Sequence, residues 1–221
     1  MLRDWLDTAT RVLRELPRLR QHVQPTFRFQ DVRAIDRAFL ARHGIRGIVW
    51  DVDGTLMAYH GHAIAAEFLP HMTTLFGDAT LRHAVVSNCD EARFTELARI
   101  LPEAILVRAY DTPGEPVTRC VHRGVDSLGS NGAPEAPAIR KPSAALIRAA
   151  AKALGDLGVE QLLMVGDQYC TDVASANLAG VRSAKVATYR RDTFPLIVQL
   201  AQRLETLLAD GRSSAHETPP T

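Results

Sequence analysis

The sequence predicts an α/β fold, a mostly parallel sheet covered by helices on both faces in three layers. Two observations carry it. Short apolar runs alternate with segments of helical period along most of the chain, the pattern of strand–helix–strand units. Several of those runs also end in carboxylates or hydroxyls, where an open parallel sheet gathers its ligand-binding groups.

The elements follow in order. Leu2, Trp5, Leu6, Ala9, Val12, Leu13 and Leu16 recur at helical spacing, so residues 1–16 read as an amphipathic helix that Pro17 stops. Its apolar stripe suits packing on its own domain. With Arg3, Arg11, Arg14 and Arg18 off that stripe, it also suits peripheral contact with a membrane surface. Residues 1–24 are this helix and a linker. A domain then spans 25–210.

Within the domain, a short helix around 34–43 ends at Gly44 in a left-handed cap. Strands are expected at about 46–51, 82–87, 105–107, 161–166 and 181–186. Helices are expected at about 63–76, 91–100 with Asp90 as cap, 143–155 after Pro142, 171–179 ending at Gly180, and 193–209. Residues 111–140 carry clustered turn signals, such as Asp111-Thr112-Pro113-Gly114 and Gly129-Ser130-Asn131-Gly132, and read as an irregular loop. Residues 211–221, rich in Ser, Pro and Thr, read as a disordered tail.

Composition narrows the function. The chain has 221 residues and a net charge of +1, which gives no support to general nucleic-acid binding. The three cysteines contain no Cys-x-x-Cys pair, so neither a zinc ribbon nor a disulfide framework is indicated. No apolar run reaches the length of about 18 residues that spans a bilayer, and the N-terminus lacks the apolar core of a secretory signal. The expectation is a cytoplasmic protein, peripheral at most to the inner membrane face.

The chemistry lies at the strand ends. Ile48-Val49-Trp50-Asp51-Val52-Asp53-Gly54-Thr55 ends an apolar run in two carboxylates, a glycine turn and a hydroxyl. Such a strand end can present a nucleophile, a metal ligand and a proton donor together. Ala84-Val85-Val86-Ser87-Asn88 ends another run in a hydroxyl, and Lys141-Pro142 supplies a cation. Leu162-Leu163-Met164-Val165-Gly166-Asp167 ends a further run, with Asp172 following. A calcium-loop reading of Asp51 to Gly54 fails, because the later ligands and the bidentate Glu are missing. No phosphate-binding Gly-x-x-x-x-Gly-Lys-Ser/Thr run occurs. His60, His62 and His71 have no metal-site spacing and read as surface residues.

Asp-x-Asp-Gly-Thr, Ser-Asn, Lys-Pro and Gly-Asp-x-x-x-x-Asp, in that order, resemble the haloacid dehalogenase (HAD) superfamily of phosphatases. The resemblance implies a Rossmann-like core. The short segments between motifs imply the capless class, with no large cap domain. It implies Asp51 as a nucleophile that forms an aspartyl-phosphate, and Asp53 as general acid and then base. Lys141 would neutralise charge, with Ser87, Asn88 and Thr55 as further phosphate ligands. Mg2+ would be held by Asp51, the Asp53 carbonyl and Asp167, with Asp172 nearby. Asp31 to Asp36, Gly44 to Ile48, Arg140-Lys141-Pro142, Gly166-Asp167-Gln168, Thr171-Asp172-Val173, Asn177 and Ala179-Gly180 resemble the YqeG-like branch of subfamily IIIA, which includes phosphatidylglycerophosphate phosphatases. Gly54 departs from that branch, which commonly has Asn there, and the connection before Lys141 is longer than usual. The expected substrate is therefore a phosphomonoester, with a membrane phospholipid as one candidate. A soluble sugar, nucleotide or other small phosphate is the alternative, and a non-catalytic binding protein the rival from another class. Nothing in the sequence fixes an oligomeric state.

Overall fold

The computed structural model describes residue 19 and residues 21–128, 134–155 and 157–213. The expected helix at 1–16 lies outside these residues. Residues 214–221 of the expected tail also lie outside, whereas 211–213 continue the last helix.

The strands are β1 (Phe27–Phe29), β2 (Gly47–Trp50), β3 (Arg82–Val85), β4 (Ile105–Tyr110), β5 (Val117–His122), β6 (Val125–Asp126), β7 (Ala138–Ile139), β8 (Leu162–Gly166) and β9 (Arg182–Val186). The α-helices are α1 (Arg37–Arg42), α2 (Leu69–Phe76), α3 (Glu91–Ile100), α4 (Ala144–Ala153), α5 (Ala174–Ala179) and α6 (Leu196–Ser213). The sheet order is β1-β9-β8-β2-β3-β4-β5-β6, with β7 also on β4. Pairing is parallel from β1 through β4 and antiparallel beyond it.

The central strands are apolar on both faces because both faces are covered. Ile48 and Trp50 of β2, Leu163 and Val165 of β8, and Val85 of β3 join one core with residues of α1, α2 and α3. Val49, Met164 and Ala84 point the other way, into a core with α4 and α5. This alternation makes the three layers. The one polar group of β2's core face, the Trp50 indole, donates to His83 Nδ1 at 3.2 Å. The His83 ring in turn meets the Leu75 carbonyl at 3.1 Å, and burial pushes its pKa down to about 4. The ring is therefore neutral and fully partnered.

Local chemistry sets the helix ends. Asp36, Asp90 and Ser143 cap α1, α3 and α4 through their side chains. Gly180 ends α5 at φ +77°, as its place in the sequence predicts.

Two expectations are corrected. Residues 111–140 are not without fold: β5 pairs with β4 from Leu106 to Tyr110, and β6 folds back on β5. The chain then returns as β7, pairing Ala138 and Ile139 with Tyr110 and Ala109. The described residues of this segment extend the sheet and form no separate cap. The segment 25–44, expected as linker and helix, also holds β1, which pairs in parallel with β9. Just before it, Asn177 Nδ2 donates to the carbonyls of His22 and Gln24, fixing the incoming chain to the domain.

Candidate active site

Strands β2, β3 and β8 point the same way, and their carboxyl ends open on one cleft. It is lined by Asp51, Asp53, Tyr59, His60, Ser87, Asn88, Cys89, Asp90, Arg93, Lys141, Gln168, Thr171, Phe194 and Val198.

Asp51 immediately follows β2 and is nearly buried. Thr55 donates to its Oδ2 at 3.0 Å, and Lys141 Nζ donates to its Oδ1 at 2.5 Å. The Thr55 hydroxyl is thus given to Asp51 and orients it. Lys141 also donates to Asp172 Oδ1 at 2.6 Å and to the Val86 carbonyl at 3.3 Å, so each ammonium hydrogen has an acceptor. Burial alone would lower the Lys141 pKa, but Asp172 and Asp51 raise it above its ordinary value. The lysine is a fixed cation.

The placement of Lys141 comes from β7. The outer half of β4 runs past the end of β3, and β7 fills the vacant edge there. Two residues later the chain reaches Lys141. Asn88, at the end of β3, then clamps that residue: its Oδ1 accepts from Lys141 N at 2.7 Å and its Nδ2 donates to Lys141 O at 2.9 Å. Both ends of the Asn88 amide are occupied in this way, so its side chain positions the lysine. Ser87 lines the cleft as expected.

Asp53 turns its carboxylate away from the other acids. Its Oδ1 accepts from His60 N and from Arg93 Nη2, each at 3.0 Å. Arg93 is nearly buried and also donates to the Gly61 carbonyl and to Glu96. Sequence reading missed this arginine. A signal was present: Arg93 lies in the first turn of a helix capped by Asp90, where the helix dipole disfavours a cation unless an anion faces it.

Asp167 and Asp172 complete the site. Oxygens of Asp51, Asp167 and Asp172 lie within 4.8 Å of one another. Asp167 Oδ2 accepts from Gln202 of α6 at 3.3 Å, while its Oδ1 is buried with no partner. Asp172 sits on a π-helical turn, Tyr169–Val173, and its Oδ2 accepts from Gln168 N at 3.0 Å. A side chain at Gly166 could not coexist with it, since a Cβ there would fall 2.3 Å from Asp172 Cγ. Burial raises the pKa of Asp51 to about 7, against the pull of Lys141. Burial, then the charges of Asp51 and Asp172, raise that of Asp167 well above the carboxylate range.

The acidic cluster suits a hard divalent cation. Mg2+ prefers oxygen donors, and here three buried carboxylates converge with one oxygen unpartnered. Asp51 and Asp167 are the groups that would hold it. Asp172, which accepts from Lys141 Nζ and Gln168 N, stands beside them. The Asp53 carboxylate stands outside the cluster, leaving its main-chain carbonyl as the group expected from sequence.

The HAD-hydrolase-like family profile matches residues 138–193, the segment that carries Lys141, Asp167 and Asp172. Phosphatidylglycerophosphate phosphatase 1, chloroplastic/mitochondrial, of Arabidopsis thaliana is 30% identical over 189 residues. The alignment covers 86% of this chain and 48% of that protein, so the chain spans about half the length of this curated relative. A crystal structure of an uncharacterized protein from Listeria monocytogenes serotype 4b aligns with 74% of this chain and 99% of its own, at 16% identity and a TM-score of 0.42. That likeness is too slight to carry an argument. With its α/β core and ordered motifs, the chain is similar to haloacid dehalogenase-like hydrolases.

Proposed function

We propose that the protein is a Mg2+-dependent phosphomonoesterase working through an aspartyl-phosphate on Asp51. The observation that carries this reading is the setting of Asp51. It is a buried carboxylate at a strand end, held by Lys141 and Thr55, facing a cleft that also presents Ser87.

Asp51 has one oxygen on Thr55 and one on Lys141, so its attack on phosphorus starts from a fixed orientation. The bond from phosphorus to the leaving oxygen breaks as the bond to Asp51 forms. Asp53 gives its proton to that oxygen, and both contacts to Asp53 fall on Oδ1, leaving Oδ2 for the proton. Ionised Asp53 then takes a proton from water, which attacks phosphorus and frees Asp51 and inorganic phosphate. Lys141 and Ser87 face the charge that gathers on the phosphoryl oxygens. Bound Mg2+ would supply charge neutralisation that lets one anion approach another.

The finer reading is a phospholipid monoester, phosphatidylglycerophosphate. The name of the plant relative supports it, as do Phe194 and Val198, which give one wall of the cleft an apolar surface. The test is phosphate release across a panel of esters, including phosphatidylglycerophosphate in mixed micelles, with Mg2+ or EDTA and beside Asp51→Asn. Metal-dependent release from the lipid, lost in Asp51→Asn, is the expected result. Release from soluble esters alone would discard the lipid and keep the chemistry. No release from any ester would sink the catalytic reading.

A further inference from the structure

Helix α6 carries an apolar stripe that nothing among the described residues covers. Leu196, Leu200, Leu204 and Leu207 follow at steps of four, four and three, with Ile197 beside them, and all five are exposed. Leu196 and Leu207, at the two ends, are 77% and 70% exposed. The opposite side of the helix faces the domain through Val198, Gln202 and Ala209. The helix is therefore apolar on one face outward and on another inward. Scattered exposed apolar side chains need no explanation, but a stripe three turns long marks a contact surface.

We propose that this stripe docks on an anionic lipid surface and brings the cleft to it. The inference rests on the lipid-phosphate reading of the site. Three observations favour a bilayer as the occupant. The first is continuity: Phe194 and Val198 line the cleft, and Leu196 and Ile197 lie between them in sequence and outside it in space. A folded partner seated on that end would stand at the cleft mouth, whereas a lipid surface would be the source of the substrate. The second is charge. From Leu196 to Leu207 the charged residues are Arg203 and Glu205. The Glu205 carboxylate turns inward, accepting from the N–H groups of Tyr169 and Cys170 at 3.0 and 3.2 Å. Arg203 remains exposed, so the exposed charge along this stretch is positive. The third is shape: with its inner face packed on the domain, α6 presents a single outward apolar stripe that can lie in the headgroup plane, and it is not long and apolar enough to cross a bilayer.

The experiment is co-sedimentation of the full chain with vesicles of phosphatidylglycerol and phosphatidylcholine in equal parts, or of phosphatidylcholine alone. The chain should bind the anionic vesicles more tightly. A Leu200→Gln/Leu204→Gln/Leu207→Gln variant should lose at least about tenfold of that binding. It should keep its melting temperature and its hydrolysis of p-nitrophenyl phosphate, since none of the three residues lines the cleft. Should the triple variant misfold, Leu204→Trp gives a second reading: its added emission should shift to the blue on vesicles and be quenched by brominated lipid. Equal binding by the triple variant, or no quenching of the added indole, overturns the proposal. Binding lost instead in Leu6→Gln/Leu13→Gln overturns it in favour of the N-terminal segment. A dimer that the triple variant abolishes, without vesicle binding, overturns it in favour of a second copy. If vesicles bind but phosphatidylglycerophosphate in micelles is not hydrolysed, the docking stands and the lipid substrate falls.

Discussion

Gly54 joins backbone freedom to the geometry of the acidic cluster. Its φ of +86° lies in the left-handed region, which costs any other residue about 1–3 kcal/mol. Space is the second constraint: a Cβ would stand 2.8 Å from Asp167 Oδ2 and 2.9 Å from Phe194 Cζ. Gly54→Ala should therefore lower stability by roughly that amount in urea titration and displace Asp167 as well. Displacement has its own readout. Three converging carboxylates with one fixed cation repel one another, so Mg2+ should raise the melting temperature of the wild type. At a hundred times its Kd a ligand adds about 2.7 kcal/mol to the folded state. Asp167→Asn should abolish that rise, and Gly54→Ala should shift it to higher Mg2+. An equal rise in all three proteins would refute the assignment of the metal to this cluster.

At the scale of elements, β5 and the return strand β7 were the least legible parts, though β7 leads directly to Lys141. The strand-end motifs could be read because each is local: an apolar run, a turn and a functional group within a few residues. Gln202 and Glu205 belong to the same site but sit on a helix more than thirty residues beyond Asp167, with no local pattern to mark them. β5, with the sequence Val117-Thr118-Arg119-Cys120-Val121-His122, alternates too weakly to announce a strand, and β7 has two residues. Glu205 offers a test of how α6 is held. Burial raises its pKa to about 7 from the ordinary 4.5, against the pull of the Cys170 N–H. Between those values the folded protein binds more protons than the unfolded one, so this group's contribution is complete below about pH 4.5 and gone above about pH 7. In EDTA, the melting temperature of Glu205→Gln should therefore rise relative to wild type by a few degrees across that window. Parallel profiles would mean that the carboxylate ionises freely while α6 stays docked.

Across the whole molecule, the parallel strands carry the site and the antiparallel extension completes it. β8, β2 and β3 are buried between both helical layers, and their paired registers fix the relative heights of Asp51, Ser87 and Asp167. That part of the fold was legible because buried parallel strands read as continuous apolar runs. The extension is different in kind. β6 has two residues, its Val125 is exposed, and β5 is only half-buried, so its hydrogen bonds are close to solvent. Local opening follows such differences, since elements with few buried contacts open at a small fraction of the global free energy. Amide exchange should therefore divide the sheet. Ile48, Val49, Leu163 and Met164 should exchange at the limit set by global unfolding. The amides of Val121 to Asp126 should exchange well above that rate. β7 decides whether this division matters to function, because Lys141 follows it by two residues. If Ala138 and Ile139 exchange with β5, the lysine is released whenever the extension opens. If they exchange with the central strands, the Asn88 clamp ties Lys141 to the parallel core. The two hydrogen bonds of that clamp, at 2.7 and 2.9 Å, favour the second outcome. Asn88→Ala should then convert it to the first, lowering protection at Ile139 and phosphate release together. Unchanged protection in Asn88→Ala would assign the lysine's placement to β7 alone.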